Sequence, residues 1–208
     1  MIRLITKTLC LLLLLGTASF ALAQTEFSAD VYDNQKTDNP QAKVYFGKDK
    51  IRFESGKKDP RSGGAFIMNL ATQTSTVIMD QQHMYMEMPA QMASQRNAYH
   101  FFSAHDADNA CADWLAQSWN KGGTCHKVGS ETINGRSAVK YEGTNAKGET
   151  GAVWLDPKLR FPLKWEGKNG NSGELRNIQE GSQPASLFEI PAGYTKFDMG
   201  NMMQQRPQ

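Results

Sequence analysis

The chain has 208 residues, with 23 Lys and Arg, 21 Asp and Glu, and a hydrophobic content of 39%. This length is enough for one domain whose hydrophobic core needs no metal to hold it together. The near balance of charge and the lack of a dense basic run exclude nucleic acid, or an anionic membrane, as a partner held by electrostatics.

The first 23 residues have the pattern of a secretory signal peptide. Arg3 and Lys7 precede a leucine run at 11–15, and the segment ends with Ala-Leu-Ala at 21–23. A basic start, a short apolar centre and a small-residue site are the three parts of such a signal. We therefore expect cleavage after Ala23 and a periplasmic or secreted protein. Removal of 23 of the 208 residues leaves 185, with equal numbers of acidic and basic side chains.

Three cysteines occur in the chain. Cys10 lies in the predicted signal, and the bulky Leu9 before it argues against lipid attachment, so we expect no stable membrane anchor. The other two, Cys111 and Cys125, predict one disulfide in an oxidising compartment. Closing a loop of about 15 residues would stabilise the fold by roughly 3 kcal/mol. A redox-active pair is the alternative, although it lacks the C-x-x-C spacing that lowers a thiol pKa.

Short apolar runs with a period of two, separated by turn residues, predict an antiparallel meander. Asn134-Gly135 is a strong two-residue hairpin signal, and Pro162 predicts that its strand is bulged or lies at a sheet edge. The eleven predicted strands are 26–33, 42–46, 50–55, 65–70, 74–79, 83–88, 126–133, 136–143, 150–156, 159–166 and 172–180.

The strand pattern is interrupted at about 90–122, where a helical insertion is predicted. Gly122-Gly123 supplies a helix stop, and a second short helix fits 92–102. We expect a single domain over 24–200 and a disordered tail at 201–208. The apolar residues at helical spacing are Ala110, Cys111, Trp114, Leu115 and Trp119.

These elements predict a mainly β fold with an α insertion. The sheet and the insertion each have an apolar surface, and packing one against the other buries both. The predicted architecture is a strongly curved antiparallel sheet, an unclosed half-barrel of about eleven strands, with helices packed in its concave face. Any unfilled space between them would accept an apolar ligand.

Three methionines alternate along the strand at 83–88. Met84, Met86 and Met88 share one face, while His83 and the other two residues share the opposite face. Soft thioether ligands suit Cu(I), so a periplasmic copper site is one interpretation. The other interpretation is that flexible thioethers pack in the core or line an apolar pocket.

Aromatic residues supply the remaining candidates for ligand contact. Trp114, Leu115 and Trp119 belong to the predicted helix, and Phe161 and Trp165 lie on one apolar face of a strand. Each residue is either a core anchor or part of a cavity wall.

No pattern of catalytic residues is recognisable. The four histidines are scattered, none stands in a zinc signature, and His105-Asp106 has no nucleophile motif near it. The sequence therefore predicts no enzyme, no catalytic residue, no resident metal and no cofactor.

Three segments, 124–136, 153–164 and 186–194, resemble a family of bacterial secreted proteins of unknown function. Members of that family are similar to the outer-membrane lipoprotein carrier (LolA-like) superfamily. The resemblance implies an unclosed, bent antiparallel barrel of about eleven strands over a hydrophobic cavity, with helices as a lid. It also implies an apolar cargo such as the acyl chain of a lipid or lipoprotein.

The leading hypothesis is a soluble periplasmic carrier-like protein for a hydrophobic small molecule or lipid. A methionine-rich Cu(I)-binding protein and a packed structural or protein-interaction scaffold are the alternatives. The volume between the sheet and the insertion separates the first hypothesis from the last, whereas the protein partner is not indicated by any motif.

Overall fold

A computed structural model describes residues 24–33, 39–55, 63–88, 104–116, 120–168 and 172–197. The predicted signal peptide and the predicted tail lie outside these ranges. The described strands are β1 (Phe27–Asp33), β2 (Ala42–Phe46), β3 (Lys50–Ser55), β4 (Gly64–Asn69), β5 (Thr74–Met79), β6 (Met84–Met88), β7 (Thr124–Ile133), β8 (Arg136–Thr144), β9 (Thr150–Asp156), β10 (Phe161–Gly167), β11 (Ser172–Glu180) and β12 (Thr195–Lys196).

All twelve strands belong to one sheet, in the order β12-β6-β5-β4-β3-β2-β1-β11-β10-β9-β8-β7. Neighbours are antiparallel except for β12, which pairs with β6 in parallel. Because β12 and β7 are the two edges, the sheet is unclosed. The prediction of eleven antiparallel strands is confirmed, and each strand end agrees within two residues. The short β12 was not predicted.

Contacts between aromatic rings show that the sheet is strongly curved. Phe46 on β2 and Phe161 on β10 are three strands apart, which on a flat sheet is about 14 Å. Their ring centroids are nevertheless 5.9 Å apart. Phe27 on β1 lies between them, stacked on Phe46 at 5.6 Å and edge-on to Phe161 at 5.4 Å. The rings therefore meet on the concave side of the bend, and they form the centre of the main core.

Cross-strand register places the apolar side chains of successive strands on this concave face, which we call the inner face. Val44 pairs with Ala29 on β1 and with Phe53 on β3, and Phe53 pairs with Phe66 on β4. Because paired residues point to the same side of a sheet, one apolar wall extends across these strands. The period-two pattern of the sequence arises from this wall.

The sequence predicts a hairpin turn at Asn134-Gly135 and a bulge or a sheet edge at Pro162, and the outcomes of these two predictions differ. Asn134 and Gly135 both adopt positive φ, 48° and 79°, as a two-residue hairpin of type I′ requires. At Pro162 the register between β10 and β9 shifts, which confirms a bulge. The edge position is wrong, because β10 lies between β9 and β11. A bulge leaves one residue out of the hydrogen-bond ladder, so a central strand can accept proline there.

The described part of the insertion contains less helix than predicted. The described part contains one α-helix, α1 (Cys111–Ala116), of six residues, preceded by turns. The prediction of several helices in the concave face is therefore not supported, and the second predicted helix, at 92–102, lies outside the described ranges. The turn has a local cause: the Asp106 carboxylate accepts a hydrogen bond from the Asp108 N–H at 2.9 Å, a contact that competes with helix formation.

The insertion still packs on the inner face. Ala104, Ala107 and Ala110 are buried against Val139, Tyr141 and Leu155 of the sheet. The Tyr141 hydroxyl donates a hydrogen bond to the Ala107 carbonyl oxygen at 2.8 Å. Short side chains thus bring the backbone of the insertion close to β8 and β9, which a longer helix with large residues would not do.

Part of the outer face is covered by the end of the described chain. Ala65, Ile67 and Ile78 form a small buried cluster there, against which Phe188 and Tyr194 pack. Phe188 belongs to a 3-10 helix at Ala185–Phe188, and β12 follows it. Among the described residues, no helix is both long enough and apolar enough to cross a membrane.

The predicted disulfide is present. It joins Cys111 at the start of α1 to Cys125 on β7, with a sequence separation of 14 and a Cα–Cα distance of 5.4 Å. The bond attaches the insertion covalently to the edge of the sheet.

Replacing both cysteines with alanine is expected to lower the free energy of unfolding by about 3 kcal/mol, because the unfolded chain regains the entropy that the loop removes. Urea denaturation of the wild type and the double variant measures the difference. A reducing agent is the matched control: it should destabilise the wild type to a similar degree and leave the double variant unchanged. Equal midpoints for all samples would contradict a stabilising disulfide.

Candidate hydrophobic binding cavity

A cavity of about 960 Å³ lies between the insertion and the inner face. Its wall is formed by strands from both halves of the chain, together with α1 and the turn that follows it. The apolar and aromatic side chains in the described lining include Val31, Phe53, Trp114, Tyr141, Val153, Phe161, Trp165 and Leu175.

The strand side of the wall follows from the register. Tyr141 on β8 pairs with Val153 on β9, and Val153 pairs with Trp165 on β10. Val31 on β1 pairs with Leu175 on β11, whose side chain is buried. These side chains therefore share the inner face and line the cavity side by side.

Trp165 depends on a glycine in the next strand. Gly173 is its cross-strand partner, and a Cβ built on Gly173 would lie 2.4 Å from the indole ring of Trp165. A carbon at that distance overlaps the ring, so only glycine leaves the indole in place. The indole of Trp165 on β10 can thus occupy its position in the wall because Gly173 on β11 has no side chain.

The opposite wall comes from the insertion. Trp114 on α1, Ala110 before it and Asn120 after it all belong to the lining, as does Cys125 of the disulfide. The disulfide and the Tyr141–Ala107 hydrogen bond hold this segment over the sheet. The space is therefore bounded by the sheet and the insertion, which are joined to each other by the disulfide and by this hydrogen bond.

Two of the acidic residues in the lining are neutralised on the outer face. Glu142 accepts a hydrogen bond from Lys140 at 2.8 Å, and Glu166 pairs with Lys164 at 2.7 Å. The hydrogen bond from Lys140, and then its charge, lowers the pKa of the Glu142 carboxyl, so this group is ionised at neutral pH. Both lysines lie over the ring of Trp154, which faces away from the cavity.

Four more charged residues belong to the described lining: Asp33, Lys147, Glu149 and Lys168. Glu149 accepts a hydrogen bond from the Asn145 amide at 2.8 Å. Two acids face two bases in this set, so their formal charges cancel. The cavity therefore combines a largely apolar wall with a lining that has no net preference for an ionic ligand.

The predicted site residues divide into two groups. Trp114, Phe161 and Trp165 are in the described lining, whereas Leu115 is partly buried and not part of it. Trp119 lies outside the described residues. Trp114, predicted from helical spacing, therefore lies in the wall formed by the insertion. Phe161 and Trp165, predicted from strand alternation, lie in the wall formed by the sheet.

The three methionines share one face, as predicted, but they stand apart from the cavity lining. Cross-strand pairs with Met79, Val77 and Ser75 place Met84, Met86 and Met88 on the inner face at β6, near the far edge of the sheet. Met88 is 5% exposed and belongs to the main core, against which Met86 packs. Met86 and Met88 are therefore core side chains, and all three methionines lie at the opposite end of the concave face from α1.

His105 pairs with Asp113 and not with its sequence neighbour Asp106. Its Nδ1 lies 3.1 Å from Asp113 Oδ1, while Asp106 is engaged in the turn described above. The His105 side chain is 93% exposed, so this pair is a surface contact. Within the described ranges, no group of three or more His, Cys, Asp or Glu side chains is arranged to hold a metal ion.

Several lining residues were not identified from the sequence. Val31, Phe53, Tyr141, Val153 and Leu175 occur in predicted strands, but period-two alternation marks them only as apolar and not as cavity residues. The missing information is the strand order: the pairing of β1 with β11 brings Val31 beside Leu175. A signal of covarying pairs would have revealed it.

Comparison with known proteins shows likeness in structure only. No protein-family model and no curated protein sequence matches the chain. An uncharacterized conserved protein from Thermus thermophilus has a TM-score of 0.51 and 13% identity over 85% of this chain and 91% of that chain. PNGF-II has a TM-score of 0.51 and 12% identity over 86% of this chain, which spans only 32% of that protein.

A third solved structure is less similar to this chain. It is a domain from Vibrio parahaemolyticus described as an outer membrane lipoprotein-sorting protein, with a TM-score of 0.35 and 10% identity over 79% of this chain and 87% of that chain. The structural neighbours of this chain thus include a lipoprotein-sorting domain, at low identity. What the first two comparisons establish is the shared fold.

Proposed function

We propose that this protein is a periplasmic binding or carrier-type protein that shields a lipid or another acyl-chain ligand, and that it acts without catalysis. The observation that carries the proposal is the cavity of about 960 Å³ lined by aromatic and aliphatic side chains of the inner face. Sites that bury small molecules have volumes of about 300–1,000 Å³ and mostly apolar walls.

The physical driving force is the burial of acyl carbons. Transfer of apolar surface from water contributes about 25 cal/mol per Å², or roughly 0.8 kcal/mol for each buried CH₂ group. A chain of ten such groups therefore supplies about 8 kcal/mol, which is of the same size as the loss of translational and rotational freedom on binding, about 4–15 kcal/mol. Trp114 and Trp165, on opposite walls, offer flat surfaces against which such a chain packs.

The proposed location rests on the signal-peptide pattern of residues 1–23 and on the disulfide, which suits an oxidising compartment. The family resemblance of the sequence supports the same assignment. A carrier in that compartment would keep an apolar chain out of water between two membranes or between a membrane and a partner protein.

The direct experiment is native mass spectrometry, with lipid extraction, of protein purified from the periplasm of its own organism. We expect a mass increment that disappears on extraction and an organic extract that contains an acyl chain. As a second measurement, the purified apoprotein should enhance the fluorescence of the apolar dye N-phenyl-1-naphthylamine. A protein that carries no ligand and ignores the dye would contradict the proposal.

Val153→Trp is expected to weaken dye binding by at least about tenfold, because an indole on β9 would occupy space that the ligand needs. Dye titration gives the dissociation constants, and urea denaturation shows whether the variant is folded. Thr132→Trp adds the same side chain at an exposed position on β7 and is the matched control. Equal losses in the two variants would show that the cavity is not the binding site.

A further inference from the structure

The exposure of the cavity lining increases in one direction along the strands. On β10, Phe161 at the start is 2% exposed, Trp165 is partly buried, and Gly167 at the end is exposed. On β1, Val31 is partly buried and Asp33, the last residue, is exposed. All five belong to the described lining. The cavity is therefore deepest near the start of β10 and meets solvent near its end.

Strand pairing brings the exposed lining residues to one end of the sheet. Gly167 pairs with Gly151, the second residue of β9, so β9 begins where β10 ends. β8 ends at the same place, and the turn at 145–149 joins it to β9. Ala146 and Lys147 of this turn are exposed and belong to the lining, as do both glycines. We call this end, formed by Gly151, Gly167 and the turn, the mouth.

The opposite end of the same strands is packed. Leu155 on β9 and Leu159 between β9 and β10 are both 0% exposed, and neither belongs to the described lining. The N–H of Ala104, at the start of the described insertion, donates a hydrogen bond to the Arg160 carbonyl oxygen at 3.2 Å. The insertion thus contacts the sheet at the end that lies away from the mouth.

Charge in the lining follows the same direction. The charged residues that line the cavity at the end of β1, in the β8–β9 turn and directly after β10 are Asp33, Lys147, Glu149 and Lys168. The buried lining side chains at the deep end are apolar: Phe53, Phe161 and Leu175. A polar group at the deep end would lose its water without gaining a partner, whereas at the mouth it stays hydrated. A ligand with one polar end is therefore accommodated in one orientation.

We infer that the ligand is a single-chain amphiphile that binds tail first, with the end of its chain near Phe161 and its polar head group at the mouth, beside Lys147. This inference rests on the proposed function and adds to it the class of ligand and its direction in the cavity. Because the head group remains in contact with water, the cavity selects its ligand by the chain.

Two stearic acids that carry a nitroxide (doxyl) ring at C5 or at C16 test the inference. A bimane fluorophore attached to the thiol of Lys147→Cys reports which end of the chain lies at the mouth. We expect the 5-doxyl acid to quench it at least about twofold more strongly than the 16-doxyl acid, because the site buries the rest of the chain away from the label. Thr132→Cys with the same fluorophore is the matched control: it is exposed on β7, outside the lining, and should show no difference between the acids.

Ala146→Cys is a second labelling position in the same turn, in case Lys147→Cys does not fold. Displacement of N-phenyl-1-naphthylamine from the unlabelled wild type shows whether the acids occupy the cavity. Equal quenching by the two acids at the mouth, stronger quenching by the 16-doxyl acid, or the same difference at Thr132→Cys would overturn the orientation and leave the proposed function standing. If the dye binds and neither acid displaces it, the ligand class is wrong; if the dye does not bind, the proposed function itself fails.

Discussion

Phe46→Ala is expected to lower the free energy of unfolding by about 3–5 kcal/mol, the usual effect of truncating a fully buried aromatic side chain. Phe46 is 0% exposed and contacts the rings of both Phe27 and Phe161. Its removal leaves a cavity between the two halves of the sheet, and it also removes two ring-ring contacts. Urea denaturation followed by circular dichroism measures the change.

The control for this variant is Val128→Ala on β7. Val128 is 49% exposed, so shortening its side chain should change the free energy of unfolding by no more than about 0.5 kcal/mol. A loss below about 1 kcal/mol for Phe46→Ala would mean that the ring cluster does not stabilise the curvature. The interpretation of the sheet as a bent wall around a shared core would then need revision.

Asp156→Ala is expected to have the second large effect, about 3–5 kcal/mol, because it removes a buried carboxylate that accepts three hydrogen bonds, one of them from the partly exposed Arg136. Asp156 is 2% exposed at the end of β9, where Oδ2 accepts a hydrogen bond from Arg136 Nε at 2.6 Å. Its Oδ1 accepts from the backbone N–H groups of Lys158 and Leu159 at 2.7 and 3.0 Å. Alanine leaves these three donors without their acceptor.

Asp156→Asn is the matched variant for this prediction. The asparagine oxygen keeps a hydrogen-bond acceptor for the turn at Lys158 and Leu159 but removes the charge that faces Arg136. It should therefore lose clearly less free energy than alanine, since Arg136 also donates to Glu180 Oε1 at 2.9 Å. Urea denaturation measures the free energy of unfolding of both variants. Equal losses for Asp156→Ala and Asp156→Asn would mean that the ion pair alone accounts for the effect.

The strands were predictable because their signal is local. In 50–55 and 74–79 alternate side chains face the inner wall, so the period of two appears in the sequence itself. The hairpin at Asn134 was predictable for the same reason: two neighbouring residues must adopt positive φ, and Asn-Gly tolerates this. β12 has only two residues and therefore no alternation, so no local sequence pattern predicts it.

The insertion and the site were less predictable because they depend on contacts between distant residues. Trp114 and Leu115 have helical spacing and lie on α1, but the Asp106 side chain forms a turn with the Asp108 N–H before the helix begins. The methionines of β6 and the aromatic residues of β10 are equally apolar, and only the position of the insertion separates cavity wall from packed core. Asn120 gave no signal in the sequence, because its place in the lining depends on how the turn after α1 folds.

The pairing of β1 with β11 has a consequence for how the chain is synthesised. The hydrogen bond between Asn177 Nδ2 and Asp30 Oδ2 joins residues that are 147 positions apart in the chain. The pairing of β1 with β11, to which it belongs, lies in the middle of the sheet. Neither half of the polypeptide can complete its interior before the last long strand leaves the ribosome. Loop closure over such a span is slow, so we expect a folding rate limited by this single late event.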